Sequence, residues 1–282
     1  MITKIATKKL ALTAILTFCF SVTLFSEEKK PSVELDFSIN WTFGCYKETT
    51  FSNISQSFLA PRFQLAAKIY STNLMHKITA DYFFSRPKSA MSQTSLVYKN
   101  YDPLTGETYY ESFSSHLTFH RIRLQYDLGY KLVEEDRMNL YLGGNFACNA
   151  FLQFEHYPSI TGLISIGPST AFNYKLNERN SLSAACSLPL LGYGVRPPYA
   201  GCDAELMKYA EENIMKIFKL GKFLSIHNHQ ALLLELGYNL EASEKISLGL
   251  GLDFEYNRIA VPKGRPLYFV DGNFKTSATL KF

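Results

Sequence analysis

His227 and His229 lie two residues apart, at the start of a stretch in which apolar and polar side chains begin to alternate. On an extended strand, residues i and i+2 share a face, so both imidazoles would project to the same side. A hairpin turning at 241–244 would bring Asn257 opposite His229, with Glu255 close by. Imidazole titrates near neutrality and a carboxylate can orient it, so such a group suits acid–base chemistry or a metal ion. His227, His229 and Glu255 are therefore the candidate catalytic residues. They serve equally as hydrated rim residues, because no recognisable nucleophile stands beside them. His116 and His120 could join them only through a bulge near His120.

Other chemistry is thinner. The chain has no glycine-rich phosphate loop, no zinc-type Cys/His spacing and no Ser-His-Asp arrangement, so no cofactor is expected. Of its 5 cysteines, Cys45 and Cys202 fall in segments between periodic elements and are the candidates for a disulfide in an oxidising compartment. Cys148 and Cys186 occupy apolar positions of non-neighbouring strands and read as small hydrophobic residues. Net charge argues against nucleic acid: without Lys4, Lys8 and Lys9 of the N-terminal segment, 26 basic residues face 25 acidic ones.

The elements that would position these residues are strands. From 33 to 43 every odd position is apolar (Val33 to Phe43) and every even one polar, the signature of a strand with one oily face. The same period of two recurs at 63–69, 78–84, 122–130, 140–154, 164–174, 182–188, 232–240, 246–256 and 274–282. Pro168 and Pro189 mark bulges or edges in the sixth and seventh of these. The polar phase carries Glu34, Asp36, Arg62, Lys68, Lys77, Asp81, Arg121, Arg123, Asp127, Lys175, Glu235, Asp253, Glu255, Lys275 and Lys281. Seven acids against eight bases suggest a cross-linked interior, with Asp81 near Arg121 or Arg123 and Glu34 near Lys281. A single charge facing lipid at mid-depth would cost about 2–4 kcal/mol, so the oily phase must face outward.

Ten strands, short turns alternating with longer loops, and aromatic residues at both strand ends predict an all-β, up-and-down antiparallel transmembrane β-barrel over residues 33–282. The turn end has Tyr130, Tyr174, Tyr238 and Phe282; the loop end has Trp41, Phe43, Phe84, Phe154 and Tyr256. In loop 196–222, residues 203–218 read as an amphipathic helix, with Asp203 as its candidate cap. Residues 95–113 read as an outward hairpin around Asp102-Pro103-Leu104-Thr105-Gly106. A lysine-bearing start, the uncharged run Leu10–Phe25 and small Ser26 read as a signal peptide over 1–26, followed by a polar linker, 27–32.

The ending FKTSATLKF resembles the C-terminal targeting signal of bacterial outer-membrane β-barrels: Phe282 last, with Leu280, Ala278, Thr276 and Phe274 stepping back by two. The resemblance implies the outer membrane of a diderm bacterium, with loops extracellular and short turns periplasmic. It also implies outer-membrane lipids and the barrel assembly machinery as partners. Ten strands is the count of omptin-type surface proteases and of some opacity-type adhesins, but no catalytic motif carries over. The expected role is a surface-exposed structural or adhesive protein meeting an extracellular ligand or host surface. A narrow channel for small polar solutes stands second, and an omptin-like or lipid-modifying enzyme third.

Overall fold

The computed structural model describes residues 32–49, 55–87, 96–101, 106, 108–113, 118–154, 159–196, 208, 212, 213, 216 and 219–282. The expected signal peptide and all of the linker but Ser32 lie outside them, as do His116, Cys202 and most of the expected helix at 203–218, of which Lys208 and Glu212 are helical.

The strands are β1 (Ser32–Glu48), β2 (Gln56–Tyr70), β3 (Leu74–Ser85), β4 (Leu96–Tyr101), β5 (Thr108–Phe113), β6 (Thr118–Glu134), β7 (Met138–Phe154), β8 (Ser159–Lys175), β9 (Asn180–Ser187), β10 (Leu191–Val195), β11 (Lys222–Leu224), β12 (His229–Glu241), β13 (Ile246–Ile259) and β14 (Leu267–Lys281). They build a closed antiparallel barrel in the order β1–β2–β3–β6–β7–β8–β9–β12–β13–β14, with β14 returning to β1. β10 prolongs β9 along β8, β11 pairs with β10, and β4–β5 form a separate hairpin between β3 and β6. The seventh barrel strand is thus split by Pro189 into β9 and β10.

Strands of 17 residues such as β6 and β7, at about 3.3 Å per residue and tilted near 40°, rise roughly 40 Å. That exceeds an apolar band about 25 Å tall, so the strands continue beyond it. The side chains settle which face is which. Phe37, Trp41, Leu65, Leu124, Leu236, Leu250 and Leu252 stand exposed on the outside, while Asp36, Asn40, Arg62, Asp81, Arg121, Asn145, Glu255 and Asp271 are buried inside. A greasy wall around a polar core inverts the arrangement of a water-soluble barrel and suits a hydrocarbon surround.

Candidate functional site: the barrel lumen

The interior is stacked in layers. At the loop end, Tyr46, Phe58, Phe83, Phe119, Phe151, Leu163, Leu224, Ile259, Leu267 and Phe269 form a buried apolar layer. Ring centroids of Phe58 and Phe151 lie 5.7 and 5.6 Å from that of Phe269. Above it, Arg196 at the end of β10 reaches across to Glu48 of β1 as a buried ion pair, and its Nη1 donates to the carbonyls of Ile259, Val261 and Arg265.

Below the apolar layer three arginines meet three carboxylates. Arg62 Nη2 and Arg123 Nε lie 3.0 and 2.5 Å from Asp81 Oδ2. Arg123 Nη1 and Arg121 Nη2 lie 3.0 and 2.5 Å from Glu255. Asp271 Oδ2 stands 3.5 Å from Arg121 Nη1 and 3.7 Å from Arg62 Nη1. Burying charges is costly unless each is paired, and this set is neutral in sum. Arg121 Cζ also sits 4.7 Å above the Phe269 ring and 5.2 Å from Phe151, joining the ionic layer to the apolar one. Because β6 and β13 stand on opposite sides of the barrel, the Arg121 and Arg123 bonds to Glu255 cross the lumen.

The turn-end half is looser. Lys77 bonds Glu235 at 2.6 Å, and Lys275 approaches Asp36 at 3.8 Å. Cavities of about 80 Å³ beside Lys77, Asp127 and Glu235 and about 60 Å³ beside Asp36, Asp253 and Lys275 leave room for water.

Several expectations need correction. His229 pairs with Ile259 and Asn257 with Ala231, not His229 with Asn257, because the loop after Glu241 runs to Ile246, closed by the backbone bonds of Ala242 and Ser243 to Ile246. The offset is two residues, so His229 and Asn257 still share the inner face. His227 does not: the eighth barrel strand resumes only at His229, and His227 is exposed in the preceding turn. Glu255 is held by the two arginines, so His227, His229 and Glu255 do not assemble. His120 points outward and shares a 2.8 Å hydrogen bond with the Tyr82 hydroxyl. Glu34 and Lys281 are ladder neighbours, but Lys281 bonds Glu241 at 2.6 Å and Glu34 faces Lys68 at 3.8 Å. Cys45 is a free, exposed thiol on the outer face of β1, and Cys148 and Cys186 are free as well. Among the described residues no group of three His, Cys, Asp or Glu side chains is placed to hold a metal ion.

Asp271 and the Glu48–Arg196 pair are missing from the sequence reading. Asp271 continues the inward phase of Lys275 and Asn273, but Leu267 and Phe269 on that same phase are apolar. Near the loop end the interior itself is greasy, so alternation no longer separates inside from outside.

In sequence, no family model and no curated protein matches this chain. In structure, it is similar to the outer membrane protease OmpT from Escherichia coli, with a TM-score of 0.54, 8% identity, and 91% of this chain and 99% of that chain covered. The fold is that of an outer-membrane β-barrel. Neisserial surface protein A (NspA) is a more distant likeness, with a TM-score of 0.37 and 12% identity over 90% of this chain and 100% of that chain. For an outer-membrane barrel of ten strands, an interior filled by side chains accords with size: eight strands are just filled and 16 to 18 leave an aqueous channel.

Proposed function

We propose that this chain is an integral outer-membrane protein of a diderm bacterium that works through what its loop end contacts, as a structural or adhesive surface protein, and not by conducting solutes. One observation carries the reading: the Arg121 and Arg123 bonds to Glu255 span the lumen directly beneath a buried aromatic layer. A hydrated solute would have to break both layers. The β4–β5 hairpin, inserted between β3 and β6 at the loop end, supports a role for that end in meeting an extracellular ligand or host surface.

On this reading the long loops face outward and the short turns face the periplasm. Phe282, exposed at 73%, is then available to the barrel assembly machinery. OmpT is a protease, but here the expected acid–base group of His227, His229 and Glu255 does not assemble, so that group does not support an enzymatic reading. The test is planar-bilayer conductance of purified protein, paired with binding of protein-bearing cells to extracellular matrix. Silence in the bilayer together with binding that is lost on deleting 96–113 is expected. Stable openings well above leak would overturn the reading in favour of a narrow channel.

A further inference from the structure

Among the described residues, the wall between the seventh and eighth barrel strands has a seam, a stretch without a ladder that is bounded by paired strands on both sides. β9 pairs with β12 from Ser187↔Leu233 toward the turn end, and β10 pairs with β11 from Gly192↔Leu224 toward the loop end. Between them, residues 188–191 and 229–232 face each other with no strand pairing among the described residues. Two local causes are visible. Pro189 has no N–H to offer, and its neighbours Leu188 and Leu190 donate to β8, at Pro168 O and Ile166 O, both at 3.0 Å. Across the seam, residues 225–228 form an inserted turn, closed by His229 N donating to Ser225 O at 2.7 Å. Four residues on each side make a gap about 13 Å long.

The gap opens onto the membrane. It lies at the level of the loop-end aromatic girdle, since Leu232 pairs with Tyr256. Leu188, Leu190, Leu191 and Ile226 flank it with exposed side chains. Unpaired backbone facing hydrocarbon is otherwise excluded from such walls. Immediately inside stands His229, fully buried and paired with Ile259 of the apolar layer. The Asn257 side chain lies within reach of its ring on the same face, but neither ring nitrogen nor Asn257 Oδ1 makes a hydrogen bond of good geometry. A native interior rarely leaves such groups unsatisfied.

We propose that this seam is a lateral portal, and that His229 and Asn257 receive the uncharged head of a single-chain amphiphile entering from the membrane. A neutral imidazole offers one donor and one acceptor, and Asn257 Oδ1 adds an acceptor. The matching head both donates and accepts, as a hydroxyl or a protonated carboxyl does. An ionised head is disfavoured because the guanidinium beside Ile259, that of Arg196, is already paired with Glu48. The apolar tail then requires Leu163 and Leu224, both fully buried while the seam is closed, to move apart as it enters. Entry is from the side, so the proposal stands whether or not the lumen conducts.

The test uses full-length protein in phosphatidylcholine vesicles with photoreactive dodecanol and, in a parallel arm, photoreactive dodecanoic acid. Label is read by peptide mass spectrometry. Label is expected on peptides carrying 163, 188–192 and 224–233, displaced by unlabelled dodecanol. His229→Leu should lower that label about tenfold, as loss of a head-group hydrogen bond predicts, while label on the outer girdle persists. Leu188→Cys with Leu232→Cys, in a background whose other cysteines are replaced, should block inner label when oxidised and restore it when reduced. If His229→Leu does not fold, the displacement by dodecanol on the unmodified protein decides. Label confined to the outer girdle, label unchanged in folded His229→Leu, or an oxidised lock without effect would each overturn the proposal.

Discussion

Arg123 donates through Nε to Oδ2 of Asp81 across the β3–β6 ladder at 2.5 Å, and the same oxygen accepts from Arg62 of β2 at 3.0 Å. One carboxylate oxygen therefore ties three consecutive barrel strands, and Arg123 passes the connection on to Glu255 on the far wall. Removing that carboxylate would leave two buried guanidinium groups short of a counter-charge. Asp81→Ala is expected to cost about 3–5 kcal/mol, read as a lowered urea midpoint of the barrel refolded in bilayers. A loss under about 1 kcal/mol, the worth of an exposed pair, would mean that the lumen is wet at this level.

Phe269 links two layers, so its truncation tests both. Phe269→Ala should lose about 3–5 kcal/mol, as large-to-small changes at buried aromatic sites do. Part of the loss belongs to the guanidinium of Arg121, 4.7 Å away. A double-mutant cycle with Arg121→Met should return a coupling of about 0.5–2 kcal/mol. Strict additivity would show that the cation and the ring are merely adjacent.

The outer wall yields to a simpler substitution. Leu236 is 58% exposed on β12, midway down the barrel. Arginine there should destabilise the bilayer-embedded protein by about 2–4 kcal/mol and lower the yield of folded barrel. A water-facing wall would accept Leu236→Arg within about 0.5 kcal/mol, so the size of the effect reports directly on the surround.

How far the sequence discloses this molecule depends on depth along the axis. Through the middle of the wall, residues such as Phe37, Ser38 and Ile39 alternate because one neighbour is hydrocarbon and the other a polar lumen, and period two alone reveals the strand. Toward the loop end that contrast fails. Phe119, Phe151 and Phe269 face inward and are as apolar as the girdle outside, which conceals the upper part of β14 and with it Asp271. The His229 register is hidden for another reason: it depends on whether the hairpin is centred on Ser243 or on Glu244, and the turn-forming residues there permit either. Arg196 meets Glu48 only because a long loop starts where β10 ends, a proximity that no local pattern encodes.

The pinch at Pro189 makes the final prediction. Gly167 of β8 lies beneath it, and a Cβ there would fall 2.0 Å from Leu188 O and 2.7 Å from Pro189 Cα. Both are backbone atoms that cannot swing aside. Gly162, on the same strand, would place its Cβ in open space. The two glycines therefore separate close approach from conformational freedom. Gly162→Ala should leave stability unchanged or raise it by about 0.5–1 kcal/mol, since alanine loses less backbone entropy on folding. Gly167→Ala should force β9 and β10 away from β8 and cost about 1–3 kcal/mol, the range for overpacking. Folding yield and urea midpoints of the pair, measured side by side, check this. Equal outcomes would show that the bend at Pro189 is not braced against β8, and that the strand break there has another cause.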